Sequence, residues 1–501
     1  MTPYDTLERL FTRLRALGDA AGILGWDAQT LMPTGAAEGR AEQLATLRGL
    51  AHELLTAPAT ADLLDAAQAR TRDLGPWQRA NLDEMRRAHA HASAVPGDLV
   101  EAESKASSAA EMAWRDARAG NDFGLLKPHL AEVLRLARRV GEAKGAALGL
   151  APYDALLDQY DPGLRAARID PLFDRLRAEL PALVAGARER QARAKPLPPV
   201  AGAFPAAAQR AVGEALMRDL GFDFARGRLD TSLHPFCGGA TGDVRITTRY
   251  AEGDFTRSLM GVLHETGHAL YEQGRPAAWL SQPVGEARGM TLHESQSLLV
   301  EMQACRSREF MDHLAPLLAR CFGAEAEGLD AQALHRIYTH VAPGLIRVDA
   351  DECTYPAHIL LRTDLERAMV DGDLAVDDLP GAFDAGMEAL LGLVVPDDAR
   401  GCLQDIHWPS GAVGYFPTYT LGAVAAAQLF EAATVALPSI RPGLARGDFA
   451  PLLGWLRENV HGKGSSESTD DIVAGATGRT LNVDAYLAHL RRRYLGEGAA
   501  T

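Results

Sequence analysis

Apolar residues return every three or four positions along most of this chain, the spacing that lays one side of an α-helix against a core. Leu7, Leu10, Phe11, Leu14 and Leu17 open the pattern, Leu130, Val133, Leu134, Ala137 and Val140 repeat it, and Leu298, Leu299, Met302 and Cys305 carry it further. Val and Ile are sparse. Two-residue alternation, the mark of a half-buried strand, is sustained only in Asp243-Val-Arg-Ile-Thr-Thr-Arg-Tyr250. The pattern predicts a mainly α protein, a single large helical body with a cleft and one small β-sheet. Lys195 to Pro205 is rich in proline and predicts a rigid, extended connection; Arg441-Pro442-Gly443 is a lesser break. No repeat of fixed period is present, which disfavours a solenoid. We read residues 1–501 as one domain, with 195–205 an internal connection.

One helical stretch carries chemistry. In His264-Glu265-Thr266-Gly267-His268, 3.6 residues per turn bring both histidines to one face, where two imidazoles can bind one metal ion and Glu265 can reach the water it holds. Asp254 or Thr256 can cap the start of this helix and Gly274 its end, while Phe255, Leu259, Val262 and Leu270 recur at helical spacing. The strand-like segment from Asp243 lies just upstream, so the small sheet is expected near the metal.

Composition narrows the context. A chain of 501 residues, 47% hydrophobic, can bury a large core. Its net charge of −15, from 51 basic and 66 acidic groups with no concentrated basic run, argues against nucleic acid or an anionic membrane as partner. Five scattered cysteines (Cys237, Cys305, Cys321, Cys353, Cys402), none in Cys-x-x-Cys spacing, fit a reducing compartment and argue against a cysteine metal site. The charged, amphipathic N-terminus is unlike a secretory signal, and no apolar run reaches membrane-spanning length. A soluble cytoplasmic protein is expected.

A catalytic zinc takes three protein ligands and keeps one position open. The extended HExxHxxGxxH pattern is excluded, because Tyr271 and Gly274 occupy its glycine and histidine positions. The third ligand must come from a second helix, and Glu286, His293, Glu294 and Glu301 are the downstream candidates. Glu294 follows His268 by enough chain for a loop and an antiparallel return. Spacing alone also allows Thr291-x-x-Glu294 to be a capping box, which leaves the choice open.

His264-Glu-Thr-Gly-His268 followed by His293-Glu-Ser-Gln-Ser297 resembles the carboxypeptidase Taq family of metallocarboxypeptidases. So do His234-Pro-Phe236, Asp243-Val-Arg-Ile-Thr247, Ile346-Arg-Val-Asp-Ala-Asp-Glu352 and Gly401-Cys-Leu-Gln-Asp-Ile-His-Trp408. Further similarity runs through Trp26-Asp27, Met32-Pro33, Gly414 to Gly422, Ala476-Thr-Gly478 and Tyr486, nearly the whole chain. Cys353 departs from the family's usual aliphatic residue, which touches packing rather than chemistry. The resemblance implies His264, His268 and Glu294 as ligands of one zinc ion per chain, Glu265 as the base, a deep helical groove and a homodimer. The same ligands accept cobalt or manganese.

In that reading the activated water attacks a peptide carbonyl while Glu265 takes its proton and returns it to the leaving amine. Tyr415 or Tyr419, or else His234, is the expected donor to the oxyanion. A carboxypeptidase must also hold a free terminal carboxylate, a task suited to the planar fork of a buried arginine; Arg347 is the first candidate and Arg245 the second. Asp351 and Glu352 are candidates to orient Arg347 or a ligand histidine. The expected activity is release of single C-terminal residues from peptides of broad sequence. Two rivals stand beside it: a helical zinc peptidase that cuts internally or removes dipeptides, and a non-catalytic peptide-binding scaffold.

Overall fold

Thr2 starts the first helix. Its hydroxyl accepts from the Asp5 amide at 3.1 Å while the Asp5 carboxylate accepts from the Thr2 amide at 2.8 Å, a reciprocal cap that frees the chain to run as helix over Pro3–Thr30. The computed structural model describes residues 1–497, so the last four residues of the 1–501 span lie outside the described residues. Twenty α-helices among the described residues make up most of the body, and one three-stranded sheet accompanies them.

The apolar spacings settle into two cores. Tyr4, Leu7 and Phe11 pack with Leu64, Leu82 and Met85 in a small N-terminal core. The main core runs from Val95 to Tyr494 and takes in Leu130, Val133, Leu134, Ala137 and Val140 of the Phe123–Leu148 helix, all buried. Leu10, Leu14 and Leu17, from the same stripe as Leu7, stay half-buried because the N-terminal helices do not close onto the rest of the molecule along their whole length. A cavity of about 470 Å³ remains between them, lined by Phe11 and Arg15 on one side and by Tyr160, Met290 and His293 on the other. It is the groove of the fold. No described helix is long and apolar enough to cross a membrane.

The sheet lies where the alternation placed it. Its strands are β1 (Gly227–Thr231), β2 (Cys237–Ala240) and β3 (Asp243–Thr248), in the order β1-β3-β2, with β1 parallel and β2 antiparallel to β3. Val244 and Ile246 point into the core while Arg245 points away, the two-residue period of a strand with one buried face. The predicted strand stops at Thr248 rather than Tyr250, because Ala251 and Asp254 close a turn that feeds the next helix. The Lys195–Pro205 stretch is irregular and links the Ala166–Ala192 and Ala206–Asp219 helices.

Candidate functional site

The motif helix spans Thr256–Gly274 and is buried on nearly every side, with β3 packed along it. Asp254 caps it, Oδ1 accepting from the Thr256 amide at 2.8 Å and from the Thr256 hydroxyl at 2.6 Å. Gly274 ends it by a different route from the usual left-handed turn. The chain leaves Arg275 extended (φ −60°, ψ 154°), and a Cβ at position 274 would lie 1.9 Å from an Arg457 guanidinium nitrogen. Close approach, not conformational freedom, requires glycine there.

His264 and His268 sit one turn apart with ring centroids 5.0 Å from each other. The second element of the site is the Gly289–Leu298 helix, and Glu294 on it faces both rings: its carboxylate oxygens lie 3.9 Å from His264 Nε2 and 3.4 Å from His268 Nε2. No capping box forms at Thr291, which lies inside the helix rather than before it. Two glycines let these helices meet. A Cβ at Gly267 would stand 2.4 Å from the Gln296 carbonyl oxygen and 2.5 Å from Ser297 Cα, so the helices cross backbone to backbone at the middle of the histidine motif. On the far side Gly422, in the Pro417–Ala436 helix, leaves room for the Glu294 side chain, whose Cβ and Cγ a methyl there would meet at 2.8 Å.

Gly267→Ala is therefore expected to push the second helix away. Overpacking of this kind costs about 1–3 kcal/mol, and metal affinity should fall at least tenfold. Gly261→Ala, on the same helix with only the Thr248 hydroxyl at 4.0 Å, is the control and should leave both unchanged or slightly raise stability. Thermal melts and metal titration of the two variants check this; equal behaviour would count against the close crossing.

Each histidine is held by its other nitrogen. His264 Nδ1 lies 2.9 Å from Glu301, which also pairs with Arg306 and sits on a π-helical turn, Leu299–Ala304, that continues the second helix. His268 Nδ1 lies 2.6 Å from His293 Nδ1, and His293 Nε2 lies 3.0 Å from Glu272, which has Arg275 3.1 Å from its other oxygen. Burial opposes ionisation of Glu272, but the hydrogen bond from His293 and the charge of Arg275 prevail and bring it down to about 2. An ionised Glu272 must accept, so His293 donates from Nε2, receives at Nδ1, and His268 is the donor between them. Neutral His268 thus presents a bare Nε2 lone pair toward Glu294.

The donor set fits a divalent ion. The three ligand atoms lie within 4.8 Å of one another, and His268–Glu294 and His264–Glu294 stand at 3.4 and 3.9 Å, against roughly 3.4 Å between neighbouring ligand atoms about one tetrahedral zinc. Two nitrogens and one carboxylate also suit zinc-like chemistry. Electrostatics agree. Burial disfavours a charged His264, yet the Glu294 and Glu301 carboxylates outweigh it and raise the ring to about 10, so this pocket attracts a positive charge. His268, dominated by burial, is lowered to about 4 and stays neutral. Glu265 is buried beside them, pushed up to about 7 by desolvation against the pull of His264.

Arg347 stands in a second buried charged cluster. Its Nε and Nη2 meet Asp405 Oδ1 at 2.9 and 2.8 Å, its amide donates to Gln404 Oε1 at 2.8 Å, and its guanidinium sits 5.1 Å above the Tyr419 ring. Arg362 takes the other Asp405 oxygen at 2.6 Å. Two arginines share one carboxylate, which leaves a buried excess of positive charge. Tyr355 and Tyr419 sit within the fields of both Arg347 and Glu294, and Tyr415 within that of Glu294: burial raises all three hydroxyls, and the Glu294 carboxylate adds to it.

The structure does not bring every candidate here. His234 is exposed on the β1–β2 connection, and among the described residues no hydrogen bond or ring contact joins it to the histidine motif. Arg245 faces away from the core, paired with Asp243 at 2.9 Å and stacked 4.6 Å from the Trp26 ring, because strand alternation turns it to the side opposite Ile246. Glu286 pairs with Arg15 at the groove edge. Glu352 does not orient Arg347: it accepts from His489 at 2.7 Å, Arg493 at 2.9 Å and Tyr494 at 2.7 Å, fastening the C-terminal helix, while Asp351 caps the turn at Cys353 and Thr354. Asp405, 58 residues from Arg347, orients it instead.

A three-ligand pocket with a buried carboxylate beside it, in an almost wholly helical body with a groove, puts the molecule in the class of helical metallopeptidases. The description "Carboxypeptidase Taq (M32) metallopeptidase" matches residues 6–494, so the chain belongs to that family of metallocarboxypeptidases. It is 37% identical to thermostable carboxypeptidase 1 of Thermus thermophilus over 99% of each chain, and 33% identical to carboxypeptidase 1 of Bacillus subtilis over 97% of this chain and 96% of that one. Metallocarboxypeptidase 1 of Trypanosoma cruzi has the same fold, with a TM-score of 0.96, 41% identity and coverage of 98% of this chain and 99% of that one. The M32 carboxypeptidase of Deinococcus radiodurans follows at 0.94 and 38%, covering 98% of each. A divalent metal ion and peptide substrates go with membership of the family.

Proposed function

We propose that residues 1–501 form one catalytic unit that releases single amino acids from the C-terminus of peptides with broad side-chain preference. In this reading His264, His268 and Glu294 hold one zinc ion, a role cobalt or manganese can fill. The bound ion supplies Lewis-acid polarisation of the scissile carbonyl and acidifies a water. Glu265 takes the proton of the attacking water and hands it to the leaving amine; its pKa near 7 suits both transfers. Tyr419 or Tyr415 donates to the oxyanion. Arg347 receives the terminal carboxylate in preference to Arg245, and a tyrosine serves the oxyanion in preference to His234. Action as a homodimer is carried over from the family resemblance, and a cytoplasmic setting follows from the unpaired cysteine usage.

The observation that supports an exopeptidase over an internal cutter is the unbalanced charge at Arg347, Arg362 and Asp405: the cluster lacks one anion, and a substrate carboxylate supplies it. An N-blocked peptide should lose one C-terminal residue after another, read as a mass ladder, and its C-terminal amide should resist. Dipeptide loss or an internal cut would overturn the reading. Absence of stoichiometric metal after mild purification, with no rescue by zinc or cobalt, would favour a non-catalytic scaffold.

A further inference from the structure

His407 has no role in the reading above, yet it touches the residue on which that reading leans. Its Nε2 lies 3.0 Å from the Tyr419 hydroxyl oxygen, and its ring packs against Phe416 with centroids 4.4 Å apart. Its Nδ1 is buried and has no hydrogen-bond partner. Burial first, and the Arg347 charge second, lower His407 to about 4, so the ring is neutral and carries one N–H and one lone pair. Were the hydrogen on Nδ1, a buried N–H would be orphaned, which folded proteins avoid. The hydrogen on Nε2 leaves only a lone pair bare. His407 is then the donor and the Tyr419 oxygen the acceptor.

A second tyrosine lies beside the first. The Tyr415 ring stands edge-on against the Tyr419 ring, centroids 5.2 Å apart, and burial raises both hydroxyls. With the His407 N–H on one lone pair of the Tyr419 oxygen, the Tyr419 proton is not given to His407 and points to another partner. Tyr419 stands in the first turn of the Pro417–Ala436 helix, one turn before the Gly422 that touches Glu294, and the Glu294 carboxylate is close enough to raise its hydroxyl.

We propose that His407 is a positioning residue: by donating its Nε2–H to the Tyr419 oxygen, it turns the Tyr419 hydroxyl proton toward the substrate oxyanion and makes Tyr419, rather than Tyr415, the donor. The proposal rests on the reading that one of these tyrosines stabilises the oxyanion. It predicts that His407 acts only through Tyr419.

A double-mutant cycle on the metal-loaded enzyme, read as kcat and KM on an N-blocked peptide, separates the two. Tyr419→Phe should lower kcat about 10²–10³-fold with KM nearly unchanged, the usual loss for one oxyanion donor. His407→Met should approach that loss alone, yet cost less than about threefold when added to Tyr419→Phe, since residues acting as a unit are non-additive. His407→Gln, which keeps an N–H at similar reach, should recover most of the activity. If Tyr419→Phe leaves kcat within about threefold of the parent, Tyr419 is not the donor. If it is impaired and His407→Met still costs its full factor in that background, His407 acts in some other way while Tyr419 stands. Should His407→Met not fold, the parent protein answers directly: the imidazole ¹⁵N signals lost in His407→Gln should report the neutral Nε2–H tautomer, and an Nδ1–H tautomer overturns the proposal.

Discussion

Exchanging Glu265 for Gln is expected to lower kcat by about 10²–10⁴-fold while leaving bound metal at the parent level. The amide has the shape and volume of the carboxylate it replaces, so packing around the motif helix is kept. Glu265 is 8% exposed, and its neighbours His264 and Glu294, not Glu265 itself, face the candidate metal position. What is lost is a base whose affinity for a proton has been brought to about 7 by burial. A change of that size corresponds to about 3–5 kcal/mol of transition-state stabilisation. The measurement is turnover of a purified, metal-quantified variant, with contaminating peptidase excluded by a mock preparation. Near-normal turnover would remove Glu265 from the chemistry; loss of metal together with turnover would make it a structural part of the metal pocket instead.

The two halves of this site differ in how far they can be read from the chain. The histidine motif is local: a spacing of four on a helix fixes one face whatever the rest of the protein does. The strand before it is equally local. The company Glu294 keeps is not, because the same four residues that spell a capping box can also sit inside a helix, and the choice depends on where the helix begins. Here a left-handed Gly289 (φ 60°) starts it early enough to carry Thr291 into the first turn. The crossing that brings Glu294 to the histidines depends on Gly267 and Gly422, whose lack of a side chain has meaning only against partners distant in sequence. Small residues inside a buried helical motif were the available signal.

Arg347 and Arg245 show the same limit from the other side. Both lie in family-like segments, and no count of neighbours in sequence tells them apart. Strand alternation sends Arg245 to the face occupied by Trp26, while a carboxylate 58 residues downstream captures Arg347. His234 belongs to an equally family-like segment and lies on an exposed turn. Charge balance between distant residues is a property of the folded state alone, which is why Asp405, although part of the family-like Gly401–Trp408 segment, and Arg362 could not be paired with Arg347 from the chain.

That balance sets the second large effect. Arg347→Ala is expected to fold, because Asp405 keeps Arg362 at 2.6 Å and the cluster passes from an excess positive charge to neutrality rather than to an orphaned anion. A buried carboxylate stripped of its only partner would cost about 3–5 kcal/mol, and this one is not stripped. The terminal carboxylate of a substrate, in contrast, loses the guanidinium whose Nη1 Asp405 does not hold. Loss of a charge-assisted pair of this kind is worth about 2–5 kcal/mol, so kcat/KM on free-acid peptides should fall roughly 10²-fold or more, mostly through KM. The slow residual cleavage of the matching C-terminal amide should hardly change. Arg347→Lys should not restore the parent value, since a single ammonium cannot span Asp405 and a substrate carboxylate at once. The discriminating quantity is the ratio of kcat/KM on acid and amide. Collapse of that ratio assigns the carboxylate to Arg347, whereas equal loss on both substrates with a lowered melting temperature would make the Arg347–Asp405–Arg362 cluster a structural ion network and send the search for the carboxylate anchor to Arg362, whose Nη2 is buried without a partner.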